Sequence, residues 1–240
     1  MASKGDLAAV LGDLRASSGG EELIGVDAVR CAQVLGVDGV AVSVPVTGEL
    51  GELVWSTAGT SARLEDLQYT LGQGPALEAA VMCAPVAEPD LAHVAAGRWP
   101  ALLPEAIELG VGAVFCFPLL LGGACLGTLT LQRTAPGPLR ETERADAWLV
   151  AGALTAVLAD GGQQWAVADT RDDSVLYRAA VHQAAGMVSV QAKTTLAQAL
   201  MRLRAYAFAR GRTVVEVAED VVARRVHFRN DQDGPGASDR

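Results

Sequence analysis

The chain has 240 residues, half of them hydrophobic, with a formal net charge of −9 and four cysteines. That length supports one large or two smaller folded domains. The acidic balance excludes a uniformly basic nucleic-acid coat, and the scattered cysteines, with no C-x-x-C pair, exclude a disulfide scaffold or a zinc ribbon.

The N-terminus, "MASKGDLAAV", has no apolar core of the kind a secretory leader carries. Runs such as "AVFCFPLLL" are too short to span a bilayer. A reducing cytoplasm is the expected compartment. "EELIGVDAVRCAQVLGV" predicts a helix with Leu23, Val26, Val29 and Val34 on its inner stripe. "GVAVSVPV" and "GELVWST" read as strands joined around Thr47-Gly48. "TSARLEDLQYTL" returns to a helical pattern, and "GQGPALEAAVM" is a glycine turn feeding a helix with Pro75 at its first position, where the missing N–H costs little. "RWPALLPEAIELG" is a further helix, ending at Gly110. "GAVFCFPLLL" and "ACLGTLTLQR" are separated by Gly122-Gly123, the strongest hairpin signal in the chain, because paired glycines supply positive φ. These elements predict an α+β domain, one antiparallel sheet flanked by helices.

A Pro/Gly loop leads into a helix from Thr142 to Ala159, with Trp148, Leu149, Ala153, Ala156 and Val157 available for packing and for pairing with a second copy. "ADTRDDS" reads as a polar linker. Three helical segments follow. The first, Ser174 to Val190, places Leu176, Val181, Ala184 and Val188 on one stripe. The second, Thr195 to Arg210, opens on Thr195-x-x-Gln198, stops at Gly211, and shares Leu196, Leu200, Leu203 and Ala207 on one face. The third, Thr213 to Arg225, opens on Thr213-x-x-Glu216 and carries Val214, Val217, Ala218, Val221 and Val222 inward. They predict an all-α three-helix domain. Expected boundaries are 1–160 for the α+β domain, 161–172 for the linker, 173–229 for the helical domain and 230–240 for a disordered tail.

Charge separates the two. Residues 177–229 hold nine Lys/Arg and three Asp/Glu, a net +6, so the rest of the chain carries −15. Such asymmetry points to a nucleic-acid or anionic contact confined to the basic part, against the plainer reading of a solvated helical face. Arg204 and Phe208, at i and i+4, suit unpaired bases and phosphates; the plainer reading has Phe208 packed inward. Arg210 also sits at a helix C-terminus, where a cation is favourable for dipole reasons alone.

"VHQAAGMVSVQAKTTLAQALMRLRAYAFARGRTVVEVAEDVV" resembles the ANTAR domain, an RNA-binding module of bacterial transcription antiterminators. The likeness lies in "QAAGMV", "TLAQALMRLRAYA", the "GR" turn and "TVVEVAEDVV", in that order. It implies hairpin-RNA binding, as a dimer, through Arg204 and Arg212; Arg178, Lys193 and Arg210 are added on charge. Ala185 stands where the family pattern carries a lysine. Residues 20–160 resemble a GAF domain in the initial helix, "DGVAVSVPV", "LQYTLGQGPALEA" and "FPLLLGGACLGTLTLQR". That resemblance implies a sensor or dimerisation role with an unidentified small-molecule or protein signal.

Together the two imply a cytoplasmic, signal-responsive antiterminator, with no membrane contact. A DNA-binding regulator is disfavoured by Glu216, Glu219 and Asp220 on the third helix, and a scaffold that binds no RNA is the other alternative. A cysteine-dependent redox enzyme is disfavoured because Cys116 lies in an apolar strand and no activating histidine is in view. No catalytic residue, cofactor or metal is expected: His93, His182 and His227 are too dispersed to form a site. Trp55, Tyr69, Phe115 and Phe117 are expected in core packing rather than around a ligand.

Overall fold

A computed structural model describes residues 4–16, 24–46, 49–160 and 173–228. The chain divides into two compact units, Met1–Asp169 and Thr170–Arg240.

In the first unit a five-stranded antiparallel sheet forms from β1 (Gly39–Val46), β2 (Glu49–Ser56), β3 (Val86–Glu88), β4 (Ala113–Leu121) and β5 (Ala124–Arg133), in the order β2-β1-β5-β4-β3. Gly122 and Gly123 turn β4 into β5 with φ of 55° and 87°, the left-handed pair a two-residue hairpin demands. The turn expected at Thr47-Gly48 lies outside the described residues, although β1 and β2 do pair.

Strand alternation splits the sheet into two faces. Val40, Val42, Phe115, Phe117, Leu129 and Leu131 face one side. They pack with α1 (Lys4–Ala16), α2 (Ala28–Leu35) and α6 (Glu141–Asp160) in one apolar core. The opposite face is covered by α3 (Thr60–Leu71), α4 (Pro75–Met82) and α5 (Leu102–Glu108), with Leu64, Ala76, Leu102, Val114 and Cys116 in a second cluster. A single turn of 3-10 helix, Leu91–His93, follows β3.

Helix α2 corrects the expected stripe. Asp27 caps it through the Arg30 N–H, so the helix starts late and buries Ala28, Cys31, Ala32 and Leu35. Val29 is left 51% exposed, and Leu23 lies outside the described residues. On α6 the inward residues are Ala147, Val150, Ala151, Ala153, Leu154, Val157 and Leu158, while Leu149 and Ala156 face outward. Trp148 is half-exposed and sets its ring edge-on to Phe117 at 5.1 Å. The aromatics expected in packing are so placed: Tyr69, Phe115 and Phe117 are buried, and Trp55 is half-buried, donating from Nε1 to the Val26 carbonyl.

Glu143 ties three elements of this core together. Its carboxylate pairs with Arg133 at 3.0 Å and Arg140 at 2.8 Å, and Arg133 also donates to the Gly36 carbonyl at the end of α2. Burial pushes the Glu143 carboxyl up, but the Arg140 and Arg133 hydrogen bonds outweigh it and hold it below its ordinary 4.5. A depressed carboxylate contributes stability above the ordinary value that is lost as pH falls through the depressed one. Glu143→Gln is therefore expected to flatten the acid limb of the stability curve below about pH 4.5. Acid unfolding followed by circular dichroism checks this, and superimposable curves would refute it.

The second unit is built from α7 (Asp173–Gln191), α8 (Leu196–Ala209) and α9 (Val214–Val222), each packing on the other two. Thr195 with Gln198, and Thr213 with Glu216, form complete capping boxes. Val181, Ala184, Val188, Leu200, Leu203, Ala207, Val214, Val217, Ala218 and Val221 are buried, while the Leu176 side chain lies outside the described residues. Leu196 is 61% exposed despite its place on the expected stripe, because it opens the first turn of α8. Helix α9 stops at Val222, short of the expected Arg225, and Arg224 takes a left-handed conformation.

Candidate functional site

Two places in the molecule concentrate chemistry. The first is a polar cluster inside the first unit, between the sheet and helices α3 and α4. Strand β5 reads Thr128-Leu129-Thr130-Leu131-Gln132, an alternation that suggests one wet face. In the fold both faces are covered, and Thr128, Thr130 and Gln132 are no more than 4% exposed. They meet Ser43 from β1, Ser61, Glu65 and Gln68 from α3, and Thr57, all buried.

The members are bonded in sequence. Ser43 donates to Glu65 Oε2 at 2.7 Å, and Gln68 donates from Nε2 to Glu65 Oε1 at 2.9 Å. The Gln68 carbonyl accepts the Ala76 N–H at 2.8 Å, capping α4, whose N-cap residue Gly74 has no side chain to do so. Gly74 is required there: at φ 138° an added Cβ would stand 2.4 Å from Gln68 Oε1. Thr57 donates to Ser61 Oγ at 2.8 Å, and Gln132 Nε2 to the same oxygen at 3.5 Å. Thr128 Oγ1 and Gln132 Oε1, both buried, have no hydrogen-bond partner among the described residues. Buried polar atoms without partners are rare and mark a place able to receive a hydrogen-bonding group. The cluster offers hydroxyls, amides and one carboxylate, which suits recognition of a small polar molecule.

It does not suit turnover. Burial, and secondarily the charge of Glu65, pushes the Cys116 thiol well above its ordinary value, and its nearest polar neighbour is the Thr130 hydroxyl at 3.6 Å. Burial pushes Cys31 up to about 12. No group of three or more His, Cys, Asp or Glu is placed to hold a metal among the described residues.

The second place is the surface of the helical unit. Lys193 is exposed in the turn between α7 and α8, with φ 48°. Arg204 is half-buried on the flank of α8. Arg210 is exposed at the end of α8, its guanidinium 3.6 Å over the Tyr206 ring. Arg212 is engaged within the fold: it pairs with Asp220 at 2.7 Å and donates to the Glu216 carbonyl at 3.2 Å. Arg225 holds the other Asp220 oxygen at 2.6 Å. The Arg178 side chain lies outside the described residues. Phe208, expected to pack inward on the plainer reading, is 56% exposed, and Met201 beside it on α8 is 68% exposed. Ala185 is buried at 6% exposure, so the position at which the ANTAR pattern has lysine faces the unit's interior here. A shallow groove of about 620 Å³ runs along α7, lined by Gln183, Met187, Val190 and Gln191 with Arg224 and His227. Arg224 and His227 were not among the expected contacts, since their sequence signal is charge alone.

No helix among the described residues is long and apolar enough to cross a membrane. Residues 26–158 match the family described as GAF domain. Among solved structures, the GAF domain from a phosphoenolpyruvate-protein phosphotransferase of Coxiella burnetii is similar, with TM-score 0.51 and 20% identity, over 68% of this chain and 99% of its own. The GAF domain of an Acinetobacter phosphoenolpyruvate-protein phosphotransferase gives TM-score 0.50 and 11% identity, over 66% and 93%. At these identities the likeness is one of fold. A search of curated proteins finds no match to this sequence.

Proposed function

Because the chain belongs to the GAF family, we propose that its first unit senses a signal and that its second unit binds hairpin RNA in nascent transcripts, preventing a terminator from forming. Sensing follows from the family and from the buried polar cluster. RNA binding is carried by the concentration of positive charge in residues 177–229, a net +6 in a chain of −9. The resemblance of "TLAQALMRLRAYA", the "GR" turn and "TVVEVAEDVV" to the ANTAR pattern names the nucleic acid. The protein acts in the cytoplasm, by binding rather than catalysis, and as a homodimer. Exposed Ala145, Leu149, Gly152 and Ala156, at i, i+4, i+7 and i+11 on α6, offer a seam to a second copy.

Arg204 and Arg210 are the better-placed RNA contacts, because Arg212 is occupied by Asp220. Affinity for a two-hairpin RNA from the protein's own operon leader is expected to fall with salt, by about 0.7 log units per log unit of salt for each phosphate contacted. Arg204→Ala and Arg210→Ala should weaken binding and each lower that slope by roughly one phosphate's share. Filter binding across a salt series, with matched duplex DNA as control, reads both.

A second reading, a sensor or scaffold that binds no RNA, is favoured by the engagement of Arg212 and the burial of Ala185. Equal or absent binding to the RNA and the DNA would establish it in place of the first.

A further inference from the structure

Four cysteines are free in this fold, and they fall into two pairs of opposite character. Cys31 and Cys116 are fully buried, one on each side of the sheet. Cys83 is exposed at the C-terminal cap of α4, in a left-handed conformation with φ 48°. Helix α4 packs against β4 and β5, and this brings the Cys83 thiol into hydrogen-bonding contact with the half-buried thiol of Cys125, at the start of β5. Forty-two residues apart in sequence, the two sulfurs meet because α4 returns across the hairpin.

We propose that Cys83 and Cys125 are a reversible thiol–disulfide pair and that a peroxide-class oxidant is a signal the first unit senses. The proposal rests on the sensor reading of that unit. Cys83 is the sulfur an oxidant reaches, while Cys125, protonated and sheltered, is the resolving thiol; burial pushes it up, and its S–H donates to the Gly127 carbonyl at 3.1 Å. The Cys83 thiolate attacks a peroxide oxygen and breaks the O–O bond. Sulfenic acid forms on Cys83, and the departing hydroxide takes up a proton as water. Cys125 then gives up its proton, and its sulfur displaces the Cys83 hydroxyl, which leaves as a second water. Two thiols lose two electrons, and the peroxide is reduced to two waters. A thiol reductant reverses the change by exchange.

The location links this chemistry to the polar cluster. Helix α4 has only eight residues; its first turn is held by Gln68, which is bonded in turn to Glu65 and Ser43. A covalent tie at its other end fixes the helix that covers the cluster at both ends.

Full-length protein treated with hydrogen peroxide, then alkylated under denaturing conditions and digested, tests the pair by mass spectrometry. The expected product is an intramolecular Cys83–Cys125 crosslink, removed by dithiothreitol, with Cys31 and Cys116 still alkylated. Cys83→Ser and Cys125→Ser each abolish it, and Cys31→Ser retains it. Amide hydrogen exchange over residues 61–82 should slow in the crosslinked protein, and peroxide should leave it unchanged in Cys125→Ser. Sulfinic acid on Cys83 with Cys125 still reactive, or crosslinks only between copies, would overturn the pair. A crosslink that leaves exchange unchanged overturns its role as an input; the sensor reading then stands or falls on ligand binding at the polar cluster, which the crosslink does not touch.

Discussion

Glu65→Ala is expected to lower the unfolding free energy of the first unit by about 3 kcal/mol, a fall in its melting temperature of roughly 9 °C. Glu65 is 1% exposed and accepts from both Ser43 and Gln68. Truncation leaves that hydroxyl and that amide facing each other across a cavity, each orphaned group costing about 1–3 kcal/mol. Gln68 then loses the anchor that aims its carbonyl at the Ala76 N–H, so the start of α4 loosens as well. Glu65→Gln tells the causes apart. It keeps the shape and one acceptor, and the Ser43 hydroxyl can rotate to accept from the new amide, so its cost should stay under about 1 kcal/mol. Calorimetry of the two variants decides the matter: equal melting temperatures for Glu65→Ala and the parent would mean that the cluster contributes nothing to the fold.

What was legible in the sequence was local chemistry. Gly122-Gly123 announces a hairpin because positive φ is needed twice in succession, and the Thr-x-x-Gln and Thr-x-x-Glu spacings announce α8 and α9 because each closes a reciprocal cap. What was hidden depends on which surfaces another element covers. Thr128, Thr130 and Gln132 alternate with leucines as a strand with one wet face does, and only the placement of α3 and α4 shows that face to be dry. Val29 belongs to the apolar set of its segment, yet capping by Asp27 sets which turn comes first and so turns that side chain to solvent. Strand β3, three residues long, is too short for its period to register, and it forms because Val86–Glu88 pairs with an edge that β4 leaves open. In the helical unit the sequence predicts the charge but not its availability: Arg212 and Arg225 both converge on Asp220, whereas Arg210 rides on Tyr206.

Leu203→Ala and Phe208→Ala, five residues apart on α8, should fail in opposite ways. Leu203 is fully buried, and removing its side chain from so small a unit should cost about 3 kcal/mol. A three-helix unit has only a few kcal/mol of stability in all, so much of it unfolds, and the heat-capacity trace should show its transition lost or moved down while that of the first unit stays. RNA binding goes with it, for structural reasons alone. Phe208 is 56% exposed, and its truncation should change stability by no more than about 0.5 kcal/mol. If unpaired bases stack on that ring, as the RNA-binding reading requires of an exposed aromatic beside Arg204, about 1–3 kcal/mol of affinity disappears, roughly 5- to 150-fold in Kd. A Phe208→Ala protein that melts like the parent and binds RNA as tightly would remove base stacking from the proposal and leave the arginines to supply the contact. One that melts like the parent and binds RNA weakly makes the exposed face of α8 the surface on which bases are held.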